Sequence, residues 1–176
     1  MDAQAKSQAK GVDMEKALFG AGCFWGVEDF FRQVPGVAAA VSGYAGGTIQ
    51  NPTYKQVCGG DTNHAEVVEV RFDPAKVDYA TLVDLFFKMH NPTQKNRQGP
   101  DFGTQYRSVI FTHGPEQARV AKERLEAAAA SGRYKQPIVT EIEAAPAFWP
   151  AEDYHQRYFE KHGGSCHVSF AEFQNS

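Results

Sequence analysis

The nine residues His64-Ala65-Glu66-Val67-Val68-Glu69-Val70-Arg71-Phe72 constrain the fold of this chain more than any other stretch. Their alternation and their β-branched side chains read as a strand with two unlike faces. Ala65, Val67, Glu69 and Arg71 share one face, and Glu66, Val68, Val70 and Phe72 share the other, more apolar one. A sheet therefore runs through this stretch, with its core on the second face. The segment after it, residues 78–90, places Leu82, Leu85, Phe86 and Met89 at helical spacing and supplies a helix to pack on that sheet.

The flanking elements follow the same logic. Residues 16–20 are a short buried strand candidate, and residues 23–33 are a helix stopped by Pro35-Gly36. Residues 37–44 read as a strand closing on Gly46-Gly47, and residues 51–63 as loop. Residues 91–103 form a polar loop with Pro and Gly, long enough to carry function. Residues 106–112 are a strand. Residues 115–131 are a helix with Pro in its first turn and Gly132 at its stop. Residues 138–142 are a strand and residues 151–161 a last helix. This order predicts an α+β fold, a two-layer α/β sandwich with a ferredoxin-like split βαβ core and an added strand and helix. No internal repeat or boundary is visible. The expected organisation is a flexible N-terminal tail over residues 1–14 and a single catalytic domain over residues 15–176.

A chain of 176 residues holds one sizeable core. With 18 Lys and Arg against 21 Asp and Glu, it has no basic footprint for nucleic acid or a membrane surface. Residues 1–11 are polar and lack the apolar core of a secretion signal, and no run is long enough to span a bilayer. Three cysteines at irregular spacing point away from a disulfide-stapled domain. They point toward redox or catalytic use in a reducing compartment, with cytoplasm as the default. The glycines from Gly43 to Gly47 match neither phosphate-cradling pattern and read as a tight turn.

The chemistry centres on Gly22-Cys23-Phe24-Trp25-Gly26. A cysteine at a helix start sits among unpaired N–H groups at the positive end of the helix dipole, which favours thiolate over thiol. Phe24 and Trp25 beside it offer an apolar wall. A buried, inert core cysteine is the competing reading. Glu66, on the core face of its strand, is costly there unless protonated, paired or used. Desolvation favours its protonated form and makes it a candidate general acid, whereas bending to solvent or pairing with a basic neighbour would leave it structural.

The pentapeptide resembles the active-site motif of the peptide methionine sulfoxide reductase A family. Pro52-Thr53-Tyr54, His64-Ala65-Glu66-Val67-Val68 and Asp101-Phe102-Gly103-Thr104-Gln105-Tyr106-Arg107-Ser108 are similar to further blocks of that family, in the same order. The stretch from Phe148-Trp149 to His155-Gln156 is similar as well, so the resemblance leaves out little beyond the N-terminal tail and the last residues. It implies an oxidoreductase that reduces methionine S-sulfoxide, protein-bound or free, to methionine, passing through a sulfenic acid and a disulfide. It implies Cys23 as nucleophile and Glu66 as acid. It implies further that Tyr54 and Tyr106 hold the sulfoxide oxygen and that Asp101 assists through water. The residues suit that reaction, since a thiolate attacking the sulfoxide sulfur pushes negative charge onto an oxygen that needs donors. The methyl group needs a wall such as Phe24 and Trp25.

Attack leaves a sulfenic acid on Cys23, which a second thiol must condense with. Cys166, behind Gly163-Gly164 in the tail, suits that role, with an unreactive tail cysteine as its alternative. Many relatives carry two recycling cysteines in the tail and this chain carries one. The resemblance thus implies a direct Cys23–Cys166 disulfide opened by thioredoxin as external reductant, with no bound cofactor. Cys58 is a possible resolving thiol that the resemblance places in a structural position. His64 reads as a surface or hydrogen-bonding histidine, and Tyr154-His155 either supports the site from behind or only packs. A metal centre is disfavoured because the cysteines stand alone, without ligand spacing.

Two other classes compete. A peroxide-reducing thiol protein would share Cys23 and a resolving cysteine, yet has no use for Glu66 beside an aromatic wall. A peptide-binding groove without chemistry would not need the thiol at all.

Overall fold

Eight alternating residues, Ala65–Phe72, form the strand that organises the computed structural model, in which residues 14–163 are described. In chain order the elements are β1 (Glu15–Ala21), α1 (Phe24–Arg32), β2 (Val37–Ala45), α2 (Tyr54–Cys58), β3 (Ala65–Phe72), α3 (Tyr79–Met89), β4 (Arg97–Gln98) and β5 (Asp101–Phe102). Then come β6 (Ser108–Thr112), α4 (Pro115–Ala130), β7 (Glu141–Ala144), β8 (Phe148–Pro150) and α5 (Tyr158–His162), with 3-10 turns at Thr104–Tyr106 and Asp153–His155.

The main sheet has the order β7-β6-β1-β3-β2-β8. β3 lies antiparallel between β1 and β2, and β1 lies antiparallel between β3 and β6. Each of the units β1-α1-β2 and β3-α3-β6 thus has one foreign strand inserted, the split βαβ arrangement expected from the sequence. The fold is α+β, and it extends that core with two strands: β7 joins β6 in parallel and β8 joins β2 antiparallel.

The apolar face of β3 meets α1 and α3 as its pattern requires. Phe19 of β1 packs against Phe31 of α1 at 5.2 Å between ring centroids and against Phe86 of α3 at 5.1 Å. Each such ring contributes about 1.5–3 kcal/mol on burial. Leu82, Phe86 and Met89 are buried as the helical spacing predicts, while Leu85 is half-buried and Val83 and Phe87 add to the core. Asp78 caps the start of α3, accepting the Thr81 N–H at 2.8 Å. The other face of β3 is covered too. Ala65 and Val67 belong to a second cluster with Leu18, Val109 and Phe111, and only Arg71 emerges.

The sequence reading left out the β4–β5 hairpin, inside a stretch read as loop, and β8; four further stretches differ from it. The stretch read as loop over residues 51–63 contains α2. Its Thr53 hydroxyl accepts the Gln56 N–H while the Gln56 side chain accepts the Thr53 N–H, a capping box. β6 begins at Ser108, not at residue 106, so Tyr106 ends a 3-10 turn instead of opening a strand. The strand read at 138–142 occupies Glu141–Ala144. The helix read at 151–161 is broken into a 3-10 turn, a left-handed Arg157 at φ 53° and the short α5. Tertiary bonds explain that break. The Gln156 side chain accepts the Ser42 N–H and donates to the Ser42 and Ala151 carbonyls, and the Arg157 N–H donates to buried Glu28 at 2.7 Å. These outweigh helix propensity, which is worth only tenths of a kcal/mol per residue.

Candidate active site

Gly22, at φ 97°, turns the chain out of β1 so that Cys23 becomes the N-cap of α1. The Cys23 carbonyl accepts the Gly26 N–H at 3.2 Å, and the residue is half-buried. One residue on, the Phe24 N–H donates to Glu66 Oε1 at 3.1 Å. Glu66 is 1% exposed and stands opposite Tyr44 in the β2–β3 register. The core-side carboxylate read from strand alternation thus meets the first turn of the helix that the cysteine caps.

Aromatic rings close round this point. The Phe24 ring lies 6.1 Å from that of Tyr54 and 5.6 Å from that of Tyr44, and the Trp25 ring lies 6.2 Å from that of Tyr54. Tyr158 stacks on Trp25 at 3.9 Å, nearly parallel. Burial, then a hydrogen bond to Cys58 and the charge of Glu66, raise the Tyr54 phenol far above its ordinary value. Burial also raises Tyr106, with the charges of Glu66, Cys58, Asp101 and Cys23 around it. Both phenols therefore stay protonated donors across the physiological range. Tyr106 thus feels the charges of Glu66 and Cys23, and Asp101 opens β5 five residues before it. Arg107 holds the turn carrying Tyr106 through its bond to the Thr104 carbonyl at 2.8 Å.

Cys58 lies nearer the site than a merely structural position suggested. It shares a face of α2 with Tyr54, four residues back, and its sulfur interacts with the hydroxyls of Tyr54 and Tyr106. Partial desolvation pushes its thiol up, although the residue as a whole stands at an exposed position. Cys166 falls outside the described residues.

Three supports were not assigned from the sequence. Glu152 accepts the Tyr44 hydroxyl at 2.9 Å and the Tyr54 N–H at 3.0 Å, fixing the start of α2. Burial alone would raise its carboxyl, but the Tyr54 N–H, its own N–H, the Tyr44 hydroxyl and His155 outweigh that and lower it. Tyr44 and Tyr158 are the other two. The stretch Phe148 to Gln156 was the available signal for Glu152; nothing in the sequence marked Tyr44 or Tyr158. His155, left open as support or packing, is 1% exposed and accepts the Trp25 indole N–H on Nδ1 at 2.9 Å. Burial lowers its pKa, so the ring is neutral near pH 7. His64 is buried, not at the surface. Its Nδ1 accepts the Gly47 N–H at 3.0 Å and its Nε2 lies 2.7 Å from the Ile49 carbonyl, tying down the loop before α2.

Among the described residues, no group of three or more His, Cys, Asp or Glu could hold a metal ion, and no helix is long and apolar enough to cross a membrane. The family model for peptide methionine sulfoxide reductase matches residues 15–176, which takes in every element of this site.

The chain belongs to the peptide methionine sulfoxide reductase family.

Curated relatives place it on the A branch of that family. It is 58% identical over 154 residues to the peptide methionine sulfoxide reductase MsrA of Methanoculleus marisnigri, covering 86% of this chain and 92% of the relative. It is 59% identical over 155 residues to that of Geobacter metallireducens, covering 88% and 96%. Solved MsrA folds superpose on it. Methionine sulfoxide reductase A of Corynebacterium diphtheriae gives a TM-score of 0.80 at 43% identity, over 87% of this chain and 77% of the other. Reduced Mxr1 of Saccharomyces cerevisiae gives 0.81 at 35% identity, over 89% and 94%. As a member of this family the protein is an oxidoreductase acting on methionine sulfoxide.

Proposed function

We propose that this MsrA-type enzyme reduces the S epimer of methionine sulfoxide, protein-bound or free, with Cys23 as nucleophile and Glu66 as general acid. The observation that carries the reading is the bond from the Phe24 N–H to Glu66 Oε1, which ties the acid to the helix turn capped by the thiol.

In this reading the substrate methyl lies against Phe24 and Trp25, and the sulfoxide oxygen takes donors from Tyr54, Tyr106 and Glu66. Asp101 assists through water. The Cys23 thiolate attacks the sulfoxide sulfur while Glu66 protonates the oxygen. Oxygen ends on Cys23 as a sulfenic acid, and methionine leaves, reduced by two electrons. The Cys166 thiol then attacks the sulfenic sulfur, forming a Cys23–Cys166 disulfide and releasing water. An external thioredoxin-type dithiol returns two electrons and is itself oxidised to a disulfide. Mxr1 has been solved in complex with Trx2, in line with such a reductant. No cofactor enters the scheme.

The test is methionine release from each separate sulfoxide epimer, with dithiothreitol and then with a thioredoxin system. Turnover of the S epimer under both reductants is expected, and none with Cys23→Ser. Turnover of the R epimer, or of neither, would overturn the reading.

A further inference from the structure

Among the described residues, three large apolar side chains stand out in solvent: Met14, Phe102 at 64% exposure and Tyr154 at 57%. Met14 immediately precedes β1. Tyr154 borders the active site through His155, and Phe102 stands next in sequence to Asp101, on a different element. Phe102 follows Asp101 in β5 and ends the hairpin that leads into the Tyr106 turn. The Tyr154 ring lies 4.0 Å from that of His155, which is itself 4.3 Å from that of Tyr54.

Scattered exposed apolar residues are ordinary, but these two share a second property. Each ring is already held by a neighbour. The Arg97 guanidinium sits 4.4 Å over the Phe102 ring and is pinned through its bond to the Gly99 carbonyl at 2.8 Å. Tyr154 leans on a buried histidine, its ring tilted 39° to the imidazole. An exposed ring with little freedom left to lose is pre-organised for contact, and aromatic residues dominate binding energy at protein surfaces.

A free amino acid sulfoxide is served by the wall of Phe24 and Trp25 and by the phenols. It has nothing to offer rings beyond them. An oxidised methionine within a polypeptide has neighbours on either side, each spaced by about 3.3 Å of extended chain. We propose that Phe102 and Tyr154 are specificity-determining contacts for a polypeptide substrate, receiving apolar side chains next to the oxidised methionine. This rests on the reading that the site reduces methionine sulfoxide. The preferred substrates are segments in which that residue is flanked by large apolar ones, as in a core strand or helix exposed by damage.

The test uses dithiothreitol as reductant and three substrates: free methionine S-sulfoxide and two blocked pentapeptides with the sulfoxide at the centre, flanked by leucines or by glycines. The native enzyme should prefer the leucine peptide. Phe102→Ser and Tyr154→Ser should each raise its KM by about three- to tenfold with little change in kcat, while free methionine sulfoxide stays within twofold. Equal kcat/KM for the two peptides in the native enzyme would overturn the proposal, as would equal losses on the peptide and the free amino acid. A higher KM for thioredoxin with unchanged peptide kinetics would assign the rings to the reductant and overturn it too. Failure of the native enzyme to turn over free methionine S-sulfoxide would strike the underlying reading, and this one with it.

Discussion

The Trp25 indole N–H donates to His155 Nδ1 at 2.9 Å, joining residues 130 positions apart. That bond fixes a half-buried ring that would otherwise pivot at the mouth of the site, and it requires a neutral histidine with its proton on Nε2. His155→Phe keeps the volume and removes the acceptor, so it should raise KM for the sulfoxide by about tenfold, the worth of one hydrogen bond. His155→Gln restores an acceptor and should recover most of the loss. Equal losses in the two variants would mean that shape, not the bond, places Trp25.

Protonation should break the same contact. Burial lowers His155 from its ordinary 6.5, so between 6.5 and the lower folded value the unfolded chain binds more protons. The stability contribution is fully present above 6.5 and is lost as pH falls through the folded pKa. His113, lowered by burial as well, adds with the same sign. The melting temperature should fall between pH 7 and pH 5, less steeply in His155→Gln, and NMR of the His155 ring should show its midpoint below 6.5.

Glu66→Gln separates acid catalysis from architecture. Its amide oxygen can still accept the Phe24 N–H, so the fold should hold while the chemical step slows by about 10²–10⁴. Single-turnover methionine release measures that step directly, and an unchanged rate would reduce Glu66 to a structural role.

For Cys166 the stoichiometry decides. Cys166→Ser should release one methionine per chain with thioredoxin present and then stop, whereas Cys23→Ser should release none. Continued thioredoxin-driven turnover by Cys166→Ser would assign the resolving role elsewhere.

Gly43→Ala tests the packing behind the site. Although β2 is otherwise rich in alanine, a Cβ at this position would collide with the Phe148 ring and meet the Trp149 carbonyl at 2.5 Å. β8 must shift to admit it. A cost of about 1–3 kcal/mol is expected, read as a lower urea midpoint.

The candidates for nucleophile and acid and the central strands were legible in the sequence because their signals are local. Alternation along residues 64–72 put Glu66 on the core face, and the helical stretch of residues 23–33, stopped by Pro35-Gly36, put Cys23 at a helix start. The elements that were misread are held by distant partners. Residues 151–161 have helical composition, yet Gln156 bonds into β2 and Arg157 to Glu28, so the helix breaks. α2 is too short to persist alone and takes its anchor from Glu152, 98 residues away from Tyr54.

The sequence by itself determined the reaction family through the resemblance its motifs carry, and the nucleophile and acid candidates and the α+β class through residue type and short-range periodicity. Only the tertiary structure decided which groups hold them. Tyr44, Glu152 and His155 gain their meaning from partners more than 100 positions away, because a buried polar group must find a hydrogen-bond partner and the folded chain alone determines which one is within reach.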